Sequence, residues 1–378
     1  MPQPKSSLPE LAILFLKLGT IAFGGPAAHV AMMRQEVVGR LKWLTDEEFL
    51  DLYGAANVIP GPNSTELAIH IGYVRAGWAG LIVSGVCFIV PAMLTVLAFA
   101  WLYVRYGQLP EVAYLLYGVK PVIMAIVLHA LWQLSKAAVK NLWLGALGLI
   151  GLVSAFLGVN ELLILFAIGC VAAIAVWAKT GWIRLPKTGL LPVVLLQTGG
   201  VSAGGATLMG IFLFFLKVGS VLFGSGYVLL AFLRADLVER YGWLTNQQLL
   251  DAVAVGQITP GPVFTTATFI GYILGGVPGA SVATIGIFLP AFVFVALSGW
   301  LVPRIRRSST ASGFLDGLNV SSLALMAYVT YRLGQAAIVD WLTVLLFAAS
   351  AVLLIFFRIN SAWLIIGAGV IAVGLNFL

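Results

Sequence analysis

The chain has 378 residues, of which 61% are hydrophobic and only 9% are charged. A soluble domain carries roughly 25% charged residues, so 21 basic and 14 acidic side chains cannot cover a soluble protein of this length. The composition therefore excludes a soluble enzyme and predicts an integral membrane protein. The net charge of +7 is spread between apolar runs, without a basic patch that alternates with aromatic residues, so nucleic acid is not an expected partner.

Apolar runs follow one another along the first half of the chain. A membrane helix needs about 20 residues, with a range of about 17–25. The runs cover residues 11–33, 78–104, 112–135, 141–158 and 161–178. Between 45 and 76 the pattern changes: Thr45 to Glu48 predict a capping box that opens a short helix. Pro60-Gly61-Pro62 then separates it from a second short segment, which predicts a re-entrant hairpin or two broken helices that face protein or water.

A polar stretch at 179–206 comes next, and after it the sequence begins again. Positions 15–62 match positions 215–262 at 18 of 48 residues, always with an offset of 200. After one deletion the offset becomes 199, and Pro91 matches Pro290. We therefore predict three parts: an N-terminal transporter repeat at 1–178, a basic cytoplasmic linker at 179–206 and a C-terminal repeat at 207–378.

The charges also predict how the two repeats lie in the membrane. About five full spans plus two short pieces per half give an odd number of crossings, so the second copy is inverted. With the linker in the cytoplasm, 13 basic residues lie inside and 5 outside, which agrees with the positive-inside rule. The predicted fold is an all-α polytopic membrane protein with two homologous inverted-topology repeats, an arrangement common in secondary transporters.

The first helix of each repeat contains a lysine and then a glycine-rich interruption. Lys17 and Lys217 are equivalent, and a lysine inside a membrane helix is functional by default, with snorkelling to a headgroup as the alternative. The interruptions are Phe23-Gly24-Gly25-Pro26 and Phe223-Gly224-Ser225-Gly226. Such breaks free amide groups that suit an oxyanion near the membrane midplane, whereas close helix packing is the plainer explanation.

Hydroxyl and amide groups surround the second break of each repeat. They can donate to oxyanion oxygens without a full buried charge, although Ser and Thr in membrane helices often bond their own backbone. The predicted binding residues here are Asn57, Pro60, Gly61, Pro62, Asn63, Ser64, Thr65, Gln257, Pro260, Gly261, Pro262, Thr265 and Thr266.

Other charged residues have supporting roles in this prediction. Arg34 and Arg234 are candidates for anion attraction or gating, with interfacial anchoring as the alternative, and Glu36 and Asp236 are candidate ion-pair partners for them. His29 and Glu66 are candidates for proton coupling, but neither recurs in the second repeat, and a lone histidine is more often a core residue. Catalytic motifs, a P-loop and clusters of metal ligands are missing from the sequence, which predicts neither an enzyme nor a cofactor or metal site.

The repeated block resembles the chromate transporter family in its long, two-domain form. The resemblance is carried by Phe-Gly-Gly-Pro at 23–26, by Trp-Leu-Thr at 43–45 and 243–245, by the two Pro-Gly-Pro turns, and by Gly-Tyr at 72–73 and 271–272. It implies export of chromate across the cytoplasmic (inner) membrane and resistance to chromate, with sulfate as a competitor or co-substrate. The second repeat departs from the motif at Ser225-Gly226, so the two halves need not contribute equally.

Two other functions are left open by the residues. One is transport of another anion, such as sulfate or an organic anion. The other is a membrane-embedded enzyme or lipid scramblase, which predicts an intramembrane cluster of acids or histidines that the sequence does not show. The expected partners are the transported anion and the lipid bilayer, and a homodimer is one of the oligomeric states that the sequence allows.

Overall fold

The structure is a computed structural model. It describes residues 6–23, 25–107, 109–180, 206–222, 229–306, 308–357, 359 and 361–376. These residues form helices and connecting turns, with no strand among them. The predicted linker at 179–206 falls almost wholly outside the described residues.

The first repeat contains seven helical elements in chain order. The broken first helix, the short amphipathic helix and the long helix after the Pro-Gly-Pro turn come first, followed by four further helices. Their bounds are α1 Leu8–Ile21, α2 Gly25–Arg34 with a wider π-helical turn at Gln35–Arg40, α3 Asp46–Ala56, α4 Asn63–Tyr106, α5 Pro110–Ala138, α6 Leu142–Phe156 and α7 Glu161–Thr180.

The second repeat follows the same order. The π-helical turn recurs after its second helix, at Arg234–Arg240, and a 3-10 turn at Val263–Thr265 precedes its long helix. The bounds are α8 Leu208–Val221, α9 Leu229–Leu233, α10 Asn246–Ile258, α11 Thr266–Arg306, α12 Ser309–Ala337, α13 Trp341–Phe356 and α14 Ser361–Asn376. Each element of the first repeat therefore has a counterpart in the second, from α1 and α8 to α7 and α14.

Local sequence signals explain where these elements begin. The predicted capping box at Thr45 is confirmed: its hydroxyl accepts from the Glu48 amide, and the Glu48 carboxylate accepts from the Thr45 amide. Thr245 and Gln248 make the same box at the start of α10. The two repeats therefore share the same helix start, which sets the position of each short amphipathic helix before its Pro-Gly-Pro turn.

The long helices α4 and α11 are each divided near their beginning. Backbone angles leave the helical region at Ala76 and Gly77, and at the equivalent Gly275 and Gly276. The two pieces of α4 fold back on each other so closely that a Cβ on Gly72 would lie 2.3 Å from the carbonyl oxygen of Gly80. Each Pro-Gly-Pro turn is thus followed by a short helix that forms a tight hairpin with a long one; the sequence predicts the short segment but not this hairpin.

The two repeats interlock rather than stand side by side. Helix α7 of the first repeat packs against α12 of the second, and α14 of the second packs against α5 of the first. Helix α4 packs against α11, and α5 against α12, along the interface between the repeats. The buried hydrophobic core therefore contains side chains from both halves.

Several helices have the length and composition of membrane spans. Four described helices qualify, at Asn63–Tyr106, Tyr114–Ala138, Glu161–Lys179 and Val263–Gly299. Four shorter apolar helices accompany them, at Leu142–Phe156, Leu208–Val221, Trp341–Phe356 and Ser361–Gly374. The chain is thus an all-α, multi-pass membrane protein built from two repeated segments.

Candidate functional site

Each Pro-Gly-Pro turn contacts the first helix of the other repeat. The Gly61 amide donates to the carbonyl of Leu222, at the end of α8, over 2.8 Å. The Gly261 amide donates to the carbonyl of Ala22, at the end of α1, over 2.9 Å. Each turn thus satisfies a free carbonyl at the end of the other repeat's first helix. The two Pro-Gly-Pro turns therefore make reciprocal contacts with the ends of α1 and α8.

Both turns need glycine at their centre. Gly61 and Gly261 have φ values of +138° and +88°, which L side chains rarely adopt. A Cβ on Gly261 would also lie 2.6 Å from the Cβ of Ala92, and one on Gly61 would lie 3.8 Å from the Cβ of Ala291, the residue equivalent to Ala92. The turns therefore sit directly against the long helices of the opposite repeats.

Polar atoms without hydrogen-bond partners collect beside these turns. The buried atoms in question are Asn63 Oδ1, Thr65 Oγ1, both carboxyl oxygens of Glu66, and Gln257 Nε2. Neither helical segment that follows a turn has a side-chain cap, since Pro62 and Pro262 occupy the cap positions. Uncapped helix starts and an unused amide donor are groups that an oxyanion accepts from. Three of the predicted residues, Asn63, Thr65 and Gln257, belong to this set.

His29 fastens the break of the first repeat. Its ring is 1% exposed; Nε2 lies 3.1 Å from the Ala22 carbonyl oxygen and Nδ1 lies 3.3 Å from the Ser64 hydroxyl. Because a carbonyl only accepts, Nε2 carries the proton and Nδ1 accepts from Ser64. Both ring nitrogens are therefore used, and the imidazole ties the end of α1 to the start of α4.

Glu66 has no such connections. Its side chain is fully buried beside Gly61, and His70, one helical turn further on, is 5% exposed with Nε2 lacking a partner. Their equivalents in the second repeat are Thr265 and Phe269, neither of which ionises. Glu66 and His70 thus add two buried titratable groups to His29 at the break of the first repeat, and their equivalents in the second repeat are not titratable.

The hydroxyls of the second repeat are used locally. Thr265 donates to the Pro262 carbonyl and Thr266 to the Val263 carbonyl, both over 2.8 Å. This is the plainer of the two roles that the sequence allows for them. In the first repeat, Asn57 bonds the Tyr53 carbonyl and accepts from the Asn63 amide group, so these two side chains bridge the turn.

The repeated lysines are held by acidic residues. Lys17 Nζ lies 2.6 Å from a Glu36 carboxyl oxygen, and Lys217 Nζ lies 2.6 Å from one of Asp236. The lysine side chains are 46% and 20% exposed. Glu36 and Asp236 were expected beside Arg34 and Arg234 and are instead bound to the lysines, because the π-helical turns direct them back toward α1 and α8.

The arginines have other partners. Arg34 pairs with Asp46 over 2.8 Å at an exposed position, while Arg234 is buried and pairs with Glu239 over 2.6 Å. Both bind the first residue of the next short helix, Asp46 or Asn246. This geometry fits the anchoring role and links each π-helical turn to α3 or α10.

The glycine-rich interruptions are only partly described. Gly25 begins α2 with a φ of +77°, Pro26 follows it in the helix, and Phe23 is 40% exposed. The remaining predicted residues of these motifs, Gly24, Phe223, Gly224, Ser225 and Gly226, lie outside the described residues.

The short helices α3 and α10 differ sharply in their surroundings. Leu50 of α3 is 58% exposed, whereas its equivalent Leu250 of α10 is 1% exposed. Helix α10 packs against α5, α12 and α14; α3 packs mainly against α4 and has no comparable packing on α5, α7 or α12 within the described residues. Asn57, at the end of α3, is exposed, but the equivalent Gln257 is buried. The end of α3 next to the turn of the first repeat is therefore exposed, whereas the equivalent end of α10 is buried.

A buried ion pair that the sequence analysis did not select lies on the sealed side. Lys120 Nζ of α5 lies 3.1 Å from Asp251 Oδ1 of α10, and the two side chains are 5% and 2% exposed. Tyr103 of α4 donates to Asp251 Oδ2 over 2.8 Å. Lys120 has no lysine counterpart in the second repeat, so the search for repeated charges missed it.

A large crevice lies elsewhere in the molecule. It has a volume of about 1130 Å³ and lies between α5, α6, α12 and α13, with mainly Leu, Val and Ala on its walls. Its polar lining is confined to His129, Gln133, Ser135 and Lys136 of α5. His129 and Gln133 bond each other and Lys136 lies over the Trp132 ring, so the rest of the wall offers a divalent anion no polar partner. Among the described residues, no group of three His, Cys, Asp or Glu side chains could hold a metal ion. The polar groups at the two turns therefore remain the candidate anion site.

Comparison with known proteins gives a consistent result. The family described as Chromate transporter matches residues 9–177 and 209–373, one match for each repeat. A chromate transport protein of Cupriavidus metallidurans is 34% identical over 98% of this chain and 94% of its own length. A probable chromate transport protein of Synechococcus elongatus is 32% identical over 91% and 88%, and one of Pseudomonas aeruginosa is 31% identical over 88% and 82%. No solved structure matches the chain. The chain therefore belongs to the chromate transporter family.

Proposed function

We propose that the protein exports chromate, a tetrahedral divalent oxyanion, from the cytoplasm and thereby confers chromate resistance. The observation that carries this proposal is the reciprocal seating of the two Pro-Gly-Pro turns, with uncapped helix starts and unpartnered polar atoms beside them. The names of three relatives, two chromate transport proteins and one probable chromate transport protein, supply the substrate. Sulfate has the same charge and shape and is proposed as a competitor or co-substrate.

The proposed binding site is the space between the turns. Gln257 offers an unused amide donor there, and the helix starts after Pro62 and Pro262 offer backbone N–H groups with a partial positive charge. Together they can bind an oxyanion without a fixed positive charge, which favours release after transport. Lys17 and Lys217 act indirectly in this scheme, by setting the position of each π-helical turn through Glu36 and Asp236.

The proposed arrangement in the membrane is that of inverted repeats. The equivalent short helices α3 and α10 then face opposite sides of the inner membrane, with α3 on the cytoplasmic side, where the excess of basic residues is expected. In this structure the accessible side is that of α3, so an anion would enter from the cytoplasm. Outward movement of two negative charges gains about 4.6 kcal/mol per 100 mV of an inside-negative potential, at about 2.3 kcal/mol per charge.

A coupled proton would be carried by Glu66 rather than by His29. Glu66 is buried beside Gly61 with both oxygens unpartnered, whereas both ring nitrogens of His29 are hydrogen-bonded. A Glu66→Gln protein should transport chromate at a rate that no longer responds to a pH gradient, and a His29→Leu protein should keep that response. Equal responses in both variants and the unaltered protein would exclude coupling through either residue.

Uptake of radiolabelled chromate into inverted membrane vesicles tests the proposal. We expect uptake that depends on the protein, rises with an imposed potential and falls when sulfate is added. Gln257→Leu, which removes the buried amide donor, should reduce it at least tenfold, while Gln247→Leu, at an exposed position of the same helix outside the turn and the capping box, serves as a control. Correctly inserted protein that moves no chromate would contradict the substrate; uptake of another anion in the same vesicles would then favour that anion.

A further inference from the structure

We propose that Lys120 is a second position for the transported oxyanion, and that Asp251 takes the place of that anion in the empty protein. The inference rests on the proposed function. It starts from the burial of the pair, whose side chains are 5% and 2% exposed at a contact between the two repeats. A lysine that is removed from both water and headgroups needs an anionic partner at all times.

Lys120 lies within an apolar span and is enclosed by protein. It is six residues, or about 9 Å along the helix axis, past Tyr114, where the span Tyr114–Ala138 begins. Its side chain is only 5% exposed and lies against Asp251 of α10. The charge of the ammonium group is therefore balanced within the protein.

The pair is held by charge more than by aligned hydrogen bonds. The Lys120 ammonium is 3.1 Å from Asp251 Oδ1, yet that oxygen has no hydrogen-bond partner with suitable geometry. The aligned bond of Asp251 comes from the Tyr103 hydroxyl, to the other oxygen. An ammonium group has three donors, so a tetrahedral oxyanion that approaches along these unused directions would bind Lys120 better than Asp251 does.

The equivalent place in the other half lacks the charge. Position 120 corresponds to Asn319 of α12, and position 103 to Val302 of α11, while the equivalent of Asp251 is the exposed Asp51. When α3 closes over its own side, no such ion pair can form there. When α10 moves away from α5, Asp251 leaves with it and Lys120 stays behind. The sides of the transporter are therefore unequal, because Lys120 of α5 faces Asp251 whereas its equivalent on α12, Asn319, carries no charge.

The difference between the two sides makes opening of the α10 side depend on a bound oxyanion. Separation of α10 from α5 without an anion would leave a buried, unpaired ammonium, which is costly. A divalent oxyanion that reaches Lys120 from the turns removes that cost, so the α10 side opens when the anion is present and stays closed when the transporter is empty. Such a device prevents empty opening toward the proposed exit side.

Spin-label distances between α10 and α5 test the inference. Labels would be placed at Gln247→Cys and Tyr114→Cys, near the beginnings of the two helices, with Cys87 and Cys170 replaced by alanine. The purified protein in lipid vesicles is measured with and without chromate, and with sulfate as a second probe. The double variant Lys120→Asn/Asp251→Asn is the key comparison, because it removes both charges and gives α5 the side chain that α12 has. Asp51→Asn, at the equivalent position of the other half, is the matched control.

The outcomes are distinct. We expect an added oxyanion to raise the long-distance population at least threefold in the unaltered protein and in Asp51→Asn. The double variant should show that population with and without the anion. An unaltered protein that responds to an oxyanion, with a double variant that responds identically, would overturn the role of Lys120 and leave the proposed function standing. An unaltered protein that neither responds to nor transports any oxyanion would overturn both.

Discussion

Helices α3 and α10 are the same element of the repeat in two different environments. Each begins with a threonine capping box, has an aspartate in its second turn and ends at a Pro-Gly-Pro turn. Yet Leu50 is 58% exposed and Leu250 is 1% exposed, and Asp251 has an ion-pair partner that α12 does not offer to Asp51. Shared start and stop signals thus occur on an open side and a closed side. The two helices differ in charge, since the first turn of α3 has three acidic residues and that of α10 has none, and they differ in the helices that pack on them.

The largest expected effect concerns the two aspartates. Asp251→Ala leaves Lys120 buried without its anion and should lower the free energy of unfolding by about 3–5 kcal/mol, as the loss of one partner of a buried pair does. Asp51→Ala removes an exposed side chain and should cost about 1 kcal/mol or less. Thermal unfolding of both purified proteins measures the difference. Equal losses would mean that the two sides are not energetically different.

The turn glycines should also be unequal. Gly261→Ala places a Cβ 2.6 Å from the Cβ of Ala92 at a φ of +88°, which should destabilise the protein by roughly 2–5 kcal/mol. In Gly61→Ala the nearest atom, 2.2 Å away, is a carboxyl oxygen of Glu66 at the end of a flexible side chain. The carboxylate can rotate away, so the loss should be about 1–3 kcal/mol. The yield of folded protein and its unfolding temperature show which variant is less stable. A Gly261→Ala protein that is more stable than Gly61→Ala would contradict the prediction.

A smaller loss of stability is expected when His29 is replaced by its equivalent in the second repeat. The equivalent residue of the second repeat is Leu229, which is 2% exposed and needs no hydrogen bond. His29→Leu should cost about 1–3 kcal/mol, because the Ser64 hydroxyl loses its buried partner and the Ala22 carbonyl keeps only the Gly261 amide. Transport per folded molecule should change less than twofold. Loss of transport in a protein of normal stability would show that the histidine does more than fasten the break.

The smallest expected effect concerns the N-caps of the equivalent helices α6 and α13. Asn141 caps α6, and the equivalent Asp340 caps α13. A hydrogen bond from the Tyr117 hydroxyl and another from the Thr343 amide hold the pKa of the Asp340 carboxyl below its ordinary value. The stabilisation is therefore present above the unfolded-state pKa of about 3.9 and is lost as the pH falls through the folded-state value.

Asp340→Asn keeps a good cap but removes the charge, so its unfolding temperature should be slightly below that of the unaltered protein at neutral pH. The two temperatures should converge as the pH falls below 4. Asn141→Asp is the reciprocal variant. A difference between Asp340→Asn and the unaltered protein that grows in acid would contradict the assignment.

Much of the fold could be predicted from the sequence because it depends on local signals. The offset of 200 between the repeats, the capping box at Thr45 and the break at Pro60 to Pro62 each specify an element without knowledge of its neighbours. The family could also be recognised from these motifs.

The site was predictable only in part, since it depends on contacts between the repeats. Sequence patterns selected Gly61, Gly261 and Gln257 because they recur, but could not show that each turn bonds the other repeat's first helix. The search for repeated charges also favoured Lys17 and Lys217, which are paired with Glu36 and Asp236. Lys120 has Asn319 as its counterpart, so it is not a repeated charge. Its ion pair with Asp251 can be recognised only from the packing of α10 against α5.

The central claim is that the open and closed sides can exchange. Distances between spin labels on α3 and α12, at Glu47→Cys and Ser312→Cys, test it most directly when they are measured beside the Gln247→Cys and Tyr114→Cys pair on α10 and α5. Without substrate, we predict a long, broad distribution for the first pair and a short, narrow one for the second. Lys120→Asn/Asp251→Asn should shorten the first distance and lengthen the second. Two distributions that stay unchanged in that variant, or that move in the same direction, would contradict the claim.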